Sequence, residues 1–142
     1  MIFNNSREEY RMQAINVQSG KREELVDITG QVRELIRDNQ WKNGVLLLYC
    51  THTTAGVTIN EAADPSVVRD ILVFLNHAVP KNGDYKHMEG NSDAHIKSSL
   101  IGCSEQLIVN EGKPVLGTWQ GIFFAEFDGP RSRRIMAQWI GD

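Results

Sequence analysis

Apolar and polar residues fall into short blocks along the chain, and the spacing inside each block predicts an element. GVLLLYC at 44–50 is an unbroken apolar run of strand length, the candidate for a central strand covered on both faces. Residues 9–18 alternate, with Tyr10, Met12 and Ala14 on one parity and Ile15 and Val17 on the other. That predicts a strand with a bulge at the parity switch. A turn at 21–24 leads into a short strand at 25–28, and VTIN resumes a strand after Gly56. From residue 106 onward the chain reads as strand: QLIVN, a turn at 110–113, PVLGTWQ as its hairpin partner, alternating GIFFAEF, a turn at 128–130, and RRIMAQWI.

The helical blocks are fewer. Thr29 is placed to cap a helix whose Val32, Leu35 and Ile36 share one face, with Asn39 and Asn43-Gly44 ending it. Asp64-Pro65 opens a second, with an apolar stripe of Val68, Ile71, Leu72 and Leu75 and a stop at Pro80. After a polar loop at 81–92, Asp93 is placed to cap a shorter helix over 94–101. The expected fold is α+β: one compact domain over 1–142, with two main helices, one short helix and about seven largely antiparallel strands. Strand edges in so small a sheet protein are often hidden by oligomerisation.

Composition narrows the function classes. With 41% hydrophobic and 23% charged residues, the chain is ordinary for a soluble globular domain. A net charge of -3 argues against nucleic acid as a partner. MIFNNSREEY lacks the apolar run of a signal peptide, and nothing reaches the length of a membrane span. Cys50 and Cys103 are far apart in sequence and predict two reduced, buried thiols in a cytosolic protein.

The chemistry concentrates in three segments. HMEGNSDAHIKSSLIG at 87–102 holds two histidines, two carboxylates and three serines, and such a segment is either a solvated loop or a site. In its helix His95 falls in the first turn, with Ser98 and Ser99 on the same face at the anion-attracting end. THTTAG delivers His52 just past a strand, either as a site residue or as a surface histidine ringed by hydroxyls. Together His52, His87 and His95 are enough for a zinc site with an open position, although their spacing matches no short zinc motif. Glu61 is a general base, a metal ligand or a solvated carboxylate; Asp64 is explained by capping. In the third segment Trp119 either stacks on a heteroaromatic ring or packs in the core. Beside it, Arg131, Arg133 and Arg134 suit phosphate recognition or a charge-balanced turn.

Taken together, HTTAGVTINE (52–61), the Asp64-Pro65 pair, YKHMEGNSDAHIKSSLIG (85–102) and GTWQGIFFAEFDGPRSRRI (117–135) resemble the YjbQ family, whose members are described as secondary thiamine-phosphate synthases. The resemblance implies a small α+β fold, assembled as a cytoplasmic homotrimer. It implies that His52, His87 and His95 share one site consistent with a divalent metal, zinc or magnesium, and that Ser98, Ser99, Arg131 and Arg134 bind an anion there. The resulting expectation is a metal-assisted enzyme on a phosphorylated metabolite, joining a pyrimidine pyrophosphate to a thiazole phosphate. In that scheme Glu61, His52 and His95 are catalytic and Trp119 helps hold the substrate. A zinc-dependent hydrolase and a non-catalytic anion-binding trimer are the alternatives.

Overall fold

The computed structural model describes residues 11–142. In chain order the elements are strands β1 (Met12–Gln18) and β2 (Glu24–Asp27), helix α1 (Thr29–Asp38), β3 (Gly44–Cys50) and β4 (Ala55–Glu61). Helices α2 (Pro65–Ala78) and α3 (Ser92–Ile101) follow, then β5 (Ser104–Asn110), β6 (Lys113–Pro114), β7 (Gln120–Glu126) and β8 (Ser132–Gly141). One sheet has the order β1-β8-β3-β5-β6 and the other β2-β7-β4, every pairing being antiparallel. The expected α+β class with three helices holds. Residues 9 and 10 of the first expected strand lie outside the described residues, and from Met12 onward β1 pairs β8 in unbroken register, without a bulge.

Alternation along the strands sets the layers. Leu46, Leu48 and Cys50 of β3, Ile135, Ala137 and Trp139 of β8, and Leu107 and Val109 of β5 point to one side of the large sheet and are buried. Ala55 and Val57 of β4 and Ile122 and Phe124 of β7 meet them from the small sheet, and Val32 and Ile36 of α1 join the same core. The opposite face of the small sheet carries Leu25, Phe123 and Ala125 against Val68, Ile71, Leu72 and Leu75 of α2 and Ala94 of α3. The order is therefore large sheet, small sheet, helices α2 and α3, with α1 packed on the core that the two sheets share.

The strand covered on both faces is consequently β7, where residues 121–127 are all buried, and not β3. Tyr49 of β3 is 47% exposed, and Val45 and Leu47 are only partly covered. The unbroken apolar run at 44–50 marks a central strand whose second face is left open within the single chain.

Two expected caps are also corrected. Asp64 does cap α2, accepting the Ser66 N–H at 2.9 Å. Thr29, however, is the first residue of α1, and its Oγ1 accepts the Ile122 N–H at 2.9 Å, fastening the helix to β7. Asp93 lies inside α3, which begins at Ser92 after Asn91, and is drawn into a buried ion network. The hairpin partner expected at 114–120 shortens to β6, and Trp119 stands in a turn at 63% exposure. Between helix and sheet, a Cβ on Gly56 of β4 would lie 2.5 Å from the Gly102 carbonyl oxygen. A side chain there would push α3 off the strand.

Candidate functional site

Two of the chain crossings between the sheets occur at the same end of the molecule. Residues 51–54 run from β3 to β4 and residues 128–131 from β7 to β8, because Ala55 pairs with Glu126 and Cys50 with Ile135. The start of α3 comes to this end too, so His52, His95 and the arginine segment, far apart in sequence, converge. One polar cavity is lined by His52, Thr54, Asn91, His95, Asp128 and Arg133, with Arg131 and Glu89 at its rim. His95 also borders two neighbouring lobes, one holding Ser98, Ser99 and Cys103 and the other His87 and Tyr85.

A buried ion pair forms the floor of this cavity. Arg133, 6% exposed, donates from Nε to Glu126 Oε1 at 2.9 Å and from Nη2 to Glu126 Oε2 at 2.6 Å and Thr54 Oγ1 at 2.8 Å. Burial alone would push the Glu126 carboxyl up. Hydrogen bonds from Arg133, the Ser19 hydroxyl (2.7 Å) and the Asp128 N–H (3.2 Å) overturn that and hold it below the usual glutamate value. Those bonds engage Nε and Nη2, and none of the hydrogen bonds among the described residues uses Nη1.

Above it, Asn91 Nδ2 donates to Asp128 Oδ2 at 2.9 Å, and Arg131 Nη2 donates to the same oxygen at 3.2 Å. Asn91 Oδ1 is buried with no hydrogen-bond partner, the only such side-chain atom among the described residues. A buried acceptor without a partner is costly, and a water or a ligand donor satisfies such an atom.

His52 is fixed in one tautomer. Its Nε2 accepts the Arg134 backbone N–H at 3.1 Å, and the ring stands edge-on to Phe124 with centroids 6.4 Å apart. Burial, followed by the nearby Arg133 charge, lowers its pKa below 6.5. The imidazole is thus neutral at neutral pH, with its proton on Nδ1. His87 is more open, with its side chain 46% exposed, and lies edge-on to His95 with ring centroids 5.3 Å apart.

A three-histidine metal does not fit this arrangement. Ligation through His52 Nε2 would break its bond to Arg134, and ligation through Nδ1 would place a proton on Nε2 facing another N–H. Among the described residues no three histidine, cysteine or acidic side chains are grouped to hold a metal ion.

The remaining expected site residues divide. Ser98 Oγ lies 2.6 Å from the Thr53 carbonyl and 2.9 Å from the His95 carbonyl, tying the His52 loop to α3, while Ser99 donates to the His95 carbonyl at 2.9 Å. Their hydroxyl protons are spent on the backbone. Arg134 takes the outward parity of β8 and contributes its N–H to His52. Glu61 pairs with Gln120 at the far end of β4, roughly 20 Å of strand away from Ala55. Trp119 sits at that end as well, so neither meets the histidines within one chain. Asn91 was missing from the expected residues, and Arg133, named with its neighbours for phosphate recognition, was left out of the set that the resemblance implied. Period-two reading of β8 puts Arg133 inward with Ile135 and Ala137, which is the signal that separates it from Arg134.

The start of α3 is held by charge. Asp93, fully buried, receives Arg22 at 3.0 and 3.1 Å and Lys97 Nζ at 3.0 Å. Lys97, also fully buried, reaches Glu23 Oε1 and Asn76 Oδ1, each at 2.7 Å. Burial raises the Asp93 pKa, but the bonds from Arg22 and Lys97 bring it below the usual value.

Residues 13–142 match the family model described as UPF0047 protein YjbQ-like. The chain belongs to this family. A UPF0047 protein of Methanocaldococcus jannaschii is 60% identical over 89% of this chain and 91% of its own, and YugU of Bacillus subtilis is 44% identical over 92% and 99%. A crystal structure of an uncharacterised family protein from Clostridium acetobutylicum superposes with a TM-score of 0.87 at 50% identity, over 90% of this chain and 99% of that one. A Sulfolobus solfataricus structure, described as a YbjQ-like protein of unknown function, gives 0.87 at 35% identity over 92% and 96%. These relatives carry a family number, not a reaction. The expected thiamine-phosphate synthesis is accordingly withdrawn.

Proposed function

We propose that the cavity beside His95 binds a small molecule carrying both an oxyanion and a hydrogen-bond donor, and exchanges a proton with it. The unpartnered, buried Asn91 Oδ1 carries this reading. It calls for an O–H or N–H donor on the ligand, while Arg133 Nη1 and the His52 Nδ1 proton offer donors to an oxyanion in the same cavity. His95 supplies the proton-transfer group. No hydrogen bond among the described residues engages its ring nitrogens, and it borders all three lobes.

The test uses two inorganic probes of similar size and charge. Near neutral pH monohydrogen phosphate has a hydroxyl to donate to Asn91, and sulfate has none. In NMR titrations, phosphate is expected to shift the Asn91 side-chain amide and the His95 ring saturably. Sulfate should bind at least about tenfold more weakly, the value of one hydrogen bond to a charged group, and Asn91→Ala should erase that preference. Equal binding of the two anions, or an unchanged preference in Asn91→Ala, overturns the assignment.

The working unit proposed is a cytoplasmic homotrimer. The open face of β3 and its neighbours supports assembly, the family resemblance suggests the number three, and two unpaired cysteines suit a reducing compartment. No helix among the described residues is long and apolar enough to cross a membrane.

A further inference from the structure

The two cysteines, expected as unrelated buried thiols, are neighbours at one end of the β3–β5 pair. β3 and β5 pair in a register that runs from Gly44 opposite Val109 to Tyr49 opposite Ser104, so the next pair is Cys50 and Cys103. The backbone closes it: the Cys50 N–H donates to the Cys103 carbonyl at 2.7 Å. Directly opposed residues of an antiparallel pair project to the same side of a sheet, with Cα atoms roughly 4.5–5.5 Å apart. That range lies inside the span a disulfide bridges. Their exposures differ usefully: Cys50 is buried and Cys103 is exposed. Cys103 lines the cavity lobe shared by His52, His95 and Ser98. Cys50 Sγ lies 3.8 Å from the His52 carbonyl oxygen, a weak hydrogen bond to the very residue that shapes the polar cavity.

We infer that Cys50 and Cys103 are a reversible dithiol–disulfide pair at the mouth of the cavity, whose oxidation repositions the His52 loop. The oxidant class is a low-molecular-weight disulfide. Cys103, being accessible, attacks first as its thiolate: its Sγ bonds to one sulfur of the disulfide and the other leaves as a thiolate that takes up a proton. Cys50 then loses its proton to solvent and attacks Cys103 Sγ, expelling the second small thiol. Two protein thiols become one disulfide, and one small disulfide becomes two thiols. Once its sulfur is bonded to Cys103, Cys50 has no S–H to donate to the His52 carbonyl, and the loop bearing His52 loses that anchor. Such a bond, at an accessible sheet end, belongs with the readily reduced, regulatory kind.

The experiment treats the folded, full-length chain with oxidised glutathione, blocks the remaining thiols by alkylation and reads intact mass and peptide map. The expected product has lost the mass of two hydrogens, contains a peptide joining Cys50 to Cys103, and returns to the starting mass with dithiothreitol. Cys50→Ala should instead stop at a glutathione adduct on Cys103, and Cys103→Ser should resist the reagent. In the oxidised wild type the His52 ring resonances should move; in treated Cys103→Ser they should not. A stable Cys103 adduct in the wild type, no reaction at all, or a disulfide that leaves the His52 resonances in place would each overturn the inference.

Discussion

At the scale of single residues, His52 shows how surroundings decide chemistry. Burial first, and then the Arg133 charge, lower the pKa of the ring, and in that neutral form Nε2 accepts the Arg134 N–H. The folded-state pKa therefore lies below the 6.5 of a free histidine. The unfolded chain then takes up the proton first on acidification. Its greater proton uptake makes stability fall as pH drops below about 6.5, until the folded ring also titrates. A ring-proton NMR titration should place His52 below 6.5, and calorimetry should show a shallower loss of Tm on acidification in His52→Gln than in the wild type. A His52 pKa at or above 6.5 would show that burial and the Arg133 charge do not govern the ring in solution. The choice between Arg133 and Arg134 is settled at the same scale. The adjacent positions are chemically equal in sequence, and strand parity makes one a buried cavity floor and the other a backbone donor on an open face.

Elements explain why part of the site could be read from sequence and part could not. β3, α2 and β8 follow from local rules: an apolar run, a capping Asp64 before Pro65, and alternation. Because β3 ends and α3 begins where they do, His52 and His95 were also legible as neighbours. Glu61 and Trp119 were drawn toward it by composition, yet the β4–β7 ladder carries both to its other end. Asp93 misled for a different reason: an acidic residue before a helix suggests a cap, and only the fold reveals Arg22 and Lys97 waiting for it. The resulting network predicts that Lys97→Met, which leaves Asp93 and Glu23 short of a partner, lowers stability by about 3 kcal/mol in urea unfolding, the lower end for breaking a buried pair because Arg22 remains. Hydrogen exchange should quicken across α3 before it does in β7. A loss within experimental error would mean that the packing of Ala94 and Ile101 holds the helix without the charges. Since Asp93 has a lowered pKa, the network's contribution is present at neutral pH and disappears as pH falls through the carboxylate range.

For the whole molecule, the open face of the large sheet is the unfinished feature. Val45 lies between Ile140 and Ile108, and Tyr49 beside Met136, which in turn faces Ala14. These residues form two apolar rows across four strands, joined through Leu47 between Gln106 and Gln138, with Ile108 63% and Ile140 55% exposed. Single exposed apolar residues are common, but a joined patch of this kind on a soluble domain marks a contact surface. Copies of the same chain are the proposed occupants, since a closed ring of three covers each patch without leaving one free. The apolar run at 44–50 then makes sense as a strand covered on one side by its own core and on the other by a neighbour. Sedimentation equilibrium should return three times the 16.0 kDa chain mass for the wild type. Ile108→Lys combined with Ile140→Lys should return the single-chain mass with an unchanged circular dichroism spectrum, because both side chains already point away from the core. A wild-type protein that sediments as one chain would sink the trimer. A lysine variant that still sediments as three would move the contact to another face, and the exposed Val73 and Phe74 of α2 would be the next surface to charge.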